Sequence, residues 1–299
     1  MLARLPASTS AHAAKAPMLD VTKCGDRLVA VGIRGLIVVS HDEGVTWEQR
    51  PSPIDVTLTS LVCVGSNMVF AVGHEETLLR SADDGLTWRL VRTDAAGVPL
   101  LRIRFLDEKN GFAVGGRGVI LRTTDGGASW ARSVVSTDDG FDPHLFDIAL
   151  LADRRLLLAG EAGRLFRSSD DGGSWLELKS PYVGSFFGLV GLGSASVLAY
   201  GMLGHAFLST NGGDTWGELS TGESQSFFSA ALTKDSIYLA GADGAIVTTP
   251  RNYPGVFTLN ALQDRPNISG LVATPNGWVL ASDRGLRHVA TFSTNLSSH

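Results

Sequence analysis

The chain has 299 residues, 44% of them hydrophobic, which is enough to bury a large core. A net charge of −5 argues against generic nucleic-acid binding, and no run approaches the roughly eighteen apolar residues of a membrane-spanning helix. Two cysteines and no Cys/His pair at ligand spacing leave no expected metal site, and no cofactor motif is present.

In chain order, the opening LARLPASTS stands before the first unit as TWEQRPSP stands before the second. Residues 2–5 are therefore assigned as the outer, fourth strand of the last unit, within an N-terminal segment of residues 1–10. Unit two shows the pattern plainly. Short apolar runs at residues 57–64, 68–72, 77–80 and 87–92 are separated by Gly, Asp or Asn, which reads as four strands. The unit closes on the box SADDGLTW, ending at Trp88. Sister boxes end at Trp47, Trp130, Trp175 and Trp216, at intervals of 41 to 45 residues. A glycine closing the second run recurs at Gly32, Gly73, Gly115, Gly160, Gly201 and Gly241, and Ser282 takes that place in a seventh copy without a box. A period near forty built from short strands predicts an all-β, seven-bladed β-propeller with four antiparallel strands per blade, one domain over residues 1–299. A linear solenoid is the alternative, but it needs polar capping units at both ends.

Each box has local work to do. Asp42, Asp83, Asp125, Asp170 and Asn211, at the third position, can accept hydrogen bonds from turn amides. The fifth-position glycine supplies positive φ, and the closing tryptophan supplies apolar area, about 150–250 Å² if fully buried. One box on each of five blades spreads the carboxylates apart, so they cannot converge on one ion or bond. They read as folding devices.

Functional residues are expected on the opposite loops, where rigid scaffolds carry variation. The turns between second and third strands place Arg34, His74, Arg117, Glu161, Asp243, Asp283 and Arg284 as candidates for partner binding. Arg34, Arg117 and Arg284 share one register in the sequence and could grip a carboxylate or phosphate; solvated turn residues are the plainer reading. Arg102 and Asp147 align on the first strands of units three and four. They are expected to pair near the channel, with a ligand-binding role or an exposed location as alternatives. His144 ends an insertion, residues 136–144, expected to form a long loop at the channel mouth. The pairs Phe186-Phe187 and Phe227-Phe228 are expected to pack in the core between blades, with a partner-binding patch as the alternative if they are exposed. Cys24 and Cys63 lie near the ends of equivalent strands on neighbouring units, either bridged or as buried free thiols.

The boxes resemble the Asp-box, or bacterial neuraminidase repeat. The chain as a whole, most closely in FAVGGRGVILRTTDGGASW at residues 112–130, resembles the photosystem II stability/assembly factor family. That resemblance implies a non-catalytic propeller acting as an assembly or stability factor that holds a protein partner from a membrane complex or an envelope or export system; a monomer is expected. It favours a periplasmic or otherwise extracytoplasmic place. The N-terminus has no apolar signal region, so an export signal is expected to be removed or to lie upstream of Met1. A sialidase-type glycosidase is the runner-up, because such enzymes carry the same boxes and Arg4-Leu-Pro6 mimics their arginine motif. It also needs further arginines and a Tyr nucleophile beside a Glu base, and of the four tyrosines Tyr200 and Tyr238 fall in second strands. Another propeller enzyme would have to use His144, His74 or Glu161 as acid or base.

Overall fold

The structure is a computed structural model that describes residues 6–137, 139–193 and 195–292. It is all-β, a seven-bladed β-propeller. Six sheets have four antiparallel strands in chain order, and the seventh has three among the described residues. In the second blade the strands are Leu58–Val64, Met68–Gly73, Thr77–Ser81 and Arg89–Arg92, within two residues of the expected bounds. The strand assigned to residues 2–5 lies outside the described residues.

The chain divides into two compact units. One holds residues 1–133 and 269–291, blades one to three with most of blade seven; the other holds residues 134–268 and 292–299, blades four to six. Within each unit the blades bury their apolar faces against one another. In the first, Val29, Val31 and Ile37 of blade one meet Leu58, Leu61 and Ala71 of blade two. In the second, Leu157, Ala159 and Leu165 of blade four meet Phe186, Leu189 and Phe207 of blade five. Second strands are buried on both faces, as in Met68–Gly73, where only the first residue is even half-exposed. That explains why these strands read as unbroken apolar runs rather than as alternating patterns.

The closing glycine has a steric cause. Its backbone is extended, with φ of −159° at Gly32 and −170° at Gly241. A Cβ at Gly32, Gly73, Gly115, Gly201 or Gly241 would collide with the carbonyl oxygen of the residue before the first strand, such as Thr57 for Gly73 and Ser226 for Gly241. The next residue donates its amide to that same oxygen, His74 to Thr57 at 2.9 Å and Ala242 to Ser226 at 2.9 Å. The chain entering each blade is thus pressed against the turn leaving its second strand, and only glycine permits the approach.

Cys24 and Cys63 form a disulfide, with Cα atoms 5.4 Å apart, joining the first strands of blades one and two. Of the two readings the sequence left open, the bridged one holds. Among the described residues, no helix is long and apolar enough to cross a membrane.

Candidate partner-binding face

Two ends of the blades carry different chemistry. At one end the box turns are closed by their own side chains. In blade one, Asp42 Oδ1 accepts from the Thr46 amide at 2.8 Å and Oδ2 from the Thr46 hydroxyl at 2.6 Å, while Ser40 Oγ accepts from the Gly44 amide at 2.8 Å. Gly44 has φ of 89°. Blades two, three and four repeat this set through Asp83, Asp125 and Asp170. Asn211 reproduces it without charge: its Oδ1 accepts from the Thr215 amide at 3.0 Å and its Nδ2 donates to the Thr215 hydroxyl at 2.8 Å. Hydrogen bonds from Thr46 hold the Asp42 carboxyl at about 2, and those from Ser129 and Ser174 do the same for Asp125 and Asp170. The first-position hydroxyl (Ser40, Ser81, Thr123, Ser168, Ser209) is buried and central to every turn, a role the sequence signalled by its recurrence alone. The tryptophans Trp47, Trp88, Trp130, Trp175 and Trp216 are half-buried. Trp47, Trp88, Trp130 and Trp216 cover the edges of the core clusters and are not full wedges within them.

At the other end lie the turns between second and third strands. In blades one to six, the second turn residue has positive φ: Arg34 52°, Glu75 58°, Arg117 51°, Ala162 52°, Leu203 55° and Asp243 56°. Both arginines are exposed there. Arg284 is exposed too, but its turn is different. Ala281 pairs with Leu286 across four residues, whereas the equivalent pair in blade one, Val31 and Ile37, spans five. The shared sequence register of the three arginines is therefore a structural register only for Arg34 and Arg117. Arg34 also lines a groove of about 600 Å³ with Pro6, Ser10, Ala16 and Asp55. Residues 7–10 form one side of it, held by Ala7 N to Ser52 O at 3.2 Å and Ser10 N to Gln49 Oε1 at 2.7 Å.

The remaining candidates fall at the same end of their blades. His74 and Asp283 are exposed. Glu161 accepts from the His144 amide at 3.2 Å, with His144 Nδ1 3.4 Å from the same oxygen. Asp243 stands 3.2 Å from Arg265. The insertion before blade four is pinned by Arg164, which bridges Asp139 at 2.8 Å and Glu177 and lies over the Phe141 ring.

Arg102 and Asp147 hold strands. Arg102 Nη1 is 3.7 Å from Asp20 Oδ2. Asp20 Oδ2 also accepts from Ser60 Oγ and the Leu61 amide, both at 3.0 Å. Burial pushes the Asp20 carboxyl up, against the pull of Arg102 and the Leu61 amide. Asp147 does in blade four what Asp20 does in blade one: fully buried, it accepts from the Ile148 amide at 2.9 Å and from the Leu189 amide of blade five at 3.1 Å. Each ties its own first strand to the next. The aspartate at this place in blade one was missed because only its neighbour in space, Ser60 on another unit of the repeat, gives it meaning.

Sequence reasoning also missed Glu76. It occupies the turn position that is glycine in blades one, three, four, five and six, at φ of 45°. It is buried and bridges Arg92 at 2.6 Å and Arg132 at 3.1 Å, the fourth strands of blades two and three. Among the described residues, no group of three His, Cys, Asp or Glu could hold a metal ion. Tyr200 is 1% exposed, in the core.

The fold has solved counterparts. A structure described as YCF48 bound to D1 peptide is 19% identical, covering 92% of this chain and 94% of that one at a TM-score of 0.73. YCF48 from Cyanidioschyzon merolae is 13% identical over 91% and 95%, at 0.71. The WD40 propeller domain of Doa1, 12% identical over 98% and 97%, reaches 0.72, so this likeness is one of architecture. No curated protein matches the sequence. The family described as photosynthesis system II assembly factor YCF48 matches residues 82–258, more than half of the sequence, and the chain belongs to that family.

Proposed function

We propose that the protein is a non-catalytic assembly factor that holds a protein partner, a segment of a membrane complex or of an envelope or export system, on the turn end of its blades. The observation that carries this reading is the pair Arg34 and Arg117. Non-glycine residues at positive φ store strain, and here the strained, exposed positions bear guanidiniums where glycine would fit more cheaply. Arg284 adds a third exposed guanidinium to the first unit, and such groups suit carboxylates, with His74 and Asp283 as further polar contacts. Glu161 and Asp243 offer carboxylates at the same end of the second unit, each beside a basic group, His144 and Arg265. The family supports assembly work, and the similar structure with a bound D1 peptide supports a peptide partner. The Cys24–Cys63 disulfide supports an oxidising, extracytoplasmic compartment. The whole chain acts as one domain, and as a monomer.

The test is affinity capture from detergent-solubilised membranes of the host, comparing the native protein with the triple variant Arg34→Glu, Arg117→Glu, Arg284→Glu. The partner should be captured by the first and lost by the second. Retention by the triple variant removes this face from the reading, and cleavage of a fluorogenic sialoside by the purified protein would replace binding with hydrolysis.

A further inference from the structure

The first strands carry a β-bulge one residue after their opening. Register slips between Leu145 and Asp147, Phe186 and Gly188, and Phe227 and Ser229 leave Phe146, Phe187 and Phe228 outside the ladder. A bulge re-aims the extra side chain. The opening residues Leu145, Phe186 and Phe227 are fully buried, but the bulge phenylalanines are all half-exposed. The second member of each Phe pair is therefore not in the core, contrary to the sequence expectation. The three rings form a row across the second unit, 5.1 Å from Phe146 to Phe187 and 5.5 Å from Phe187 to Phe228. The bulge residues of blades one to three are Leu19, Thr59 and Leu101, and the Thr59 hydroxyl donates to Leu100 O at 2.6 Å.

Beside the row stands the turn of blade five. Leu203 sits there at φ of 55° with 59% of its surface exposed. Two costs meet at this residue, a strained backbone and an apolar side chain in water. Met202 N donates to Ser185 O at 3.1 Å and Leu203 N to Ser226 Oγ at 3.1 Å. The turn thus bridges the segments that deliver Phe187 and Phe228. Val183, two residues before Ser185, is 89% exposed. Behind the same turn, where a Cβ at Gly204 would strike Glu223 O, a groove of about 440 Å³ is lined by Glu223, Asp243, Gln225 and Arg265. Asp243 already faces Arg265, and Glu223 Oε1 is oriented by the Ser224 and Gln225 amides.

We propose that this strip of the second unit docks an apolar, aromatic-bearing peptide segment flanked by a lysine or arginine. The apolar side chains lie on Phe146, Phe187, Phe228 and Leu203, and the cation enters the groove beside Glu223. Charge complementarity selects this occupant: Glu161 stands by His144 at the Phe146 end of the row, and Glu223 lines the groove behind the blade-five turn, which disfavours acidic segments and anionic lipid. The proposal rests on the partner-holding reading and extends it to the second unit.

The probe is a fluorescein-labelled decapeptide with two leucines and two phenylalanines spaced by serine and alanine and closed by lysine at both ends, followed by anisotropy. It should bind at least tenfold tighter than the same peptide closed by glutamate, and the version with serine for every apolar residue should not bind. Leu203→Gly should raise the Tm, because glycine relieves the positive φ, and weaken binding at least fivefold. Phe187→Ser should abolish binding, and Glu223→Lys should reverse the preference for lysine ends. Equal binding of lysine- and glutamate-closed peptides, native affinity in Leu203→Gly, or binding to phosphatidylcholine vesicles without binding to the peptide would each overturn the proposal. Partner loss in the arginine triple variant alongside failure here removes this strip alone; peptide binding here with a partner that survives the triple variant removes only the arginine face.

Discussion

Asp125 shows how one side chain closes a turn. It accepts from the Ser129 amide and hydroxyl at 2.9 and 2.6 Å, and these bonds favour its charged form. A carboxyl held at about 2 in the fold, against 3.8 ordinarily, contributes stability that is full above pH 4 and lost as pH falls from about 4 to 2. Asp42 and Asp170 add to the same limb. Asp125→Asn should keep the turn at pH 7, as Asn211 does, and make the fall of Tm between pH 4 and 2 shallower. A Tm series from pH 7 to 2 checks both parts. Glu76 makes the opposite case, where charge is needed. Its buried carboxylate takes two guanidiniums, so Glu76→Gln should cost about 2–3 kcal/mol in urea unfolding, the scale of lost charge-assisted bonds. A change below half a kcal/mol would show that the bridge holds nothing.

Between blades, strands are joined by more than apolar contact. The disulfide links the first strands of blades one and two across a sequence separation of 39 residues. A loop of that length confines the unfolded chain by about 3–4 kcal/mol in the chain-entropy account. Cys63→Ser, or reduction with dithiothreitol, should lower the Tm by several degrees, and the variant's Tm should not respond to reductant. Phe186, fully buried between blades four and five and ringed by Tyr182 and Phe207 at 5.9 and 5.7 Å, should cost about 3–5 kcal/mol on truncation to alanine. Its neighbour Phe187, half-exposed, should cost far less. The contrast between two adjacent phenylalanines, read by denaturant midpoints, separates core from surface at this bulge.

For the molecule as a whole, the N-terminal segment is the telling piece. Residues 7–10 are hydrogen-bonded to Gln49 and Ser52 of blade one, and a short 3-10 turn at Ala13–Lys15 packs on the hairpin of blade seven, where a Cβ at Gly285 would strike Ala14 O. If residues 2–5 complete blade seven as its outer strand, deleting residues 1–10 should lower the Tm by many degrees; an unchanged Tm would remove that assignment. The number of blades, the four-strand unit, the box turns and the positive φ at their glycines were all legible in the sequence, because each arises from contacts within one repeat and recurs with it. Other features were not. The bridging of the two cysteines, the Asp20 and Asp147 ties, the Glu76 clamp and the exposure of Phe187 join residues on different repeats, or depend on a bulge that shifts a side chain from one face to another. The arginines show the same limit: a shared position in the repeat marked all three, but a hairpin one residue shorter in blade seven gave Arg284 a different turn. Local periodicity specifies what a blade is, since strand and turn propensities act over a few residues. Only packing in three dimensions decides what one blade presents to the next and to a partner, because that depends on which side chains are brought together from forty residues apart.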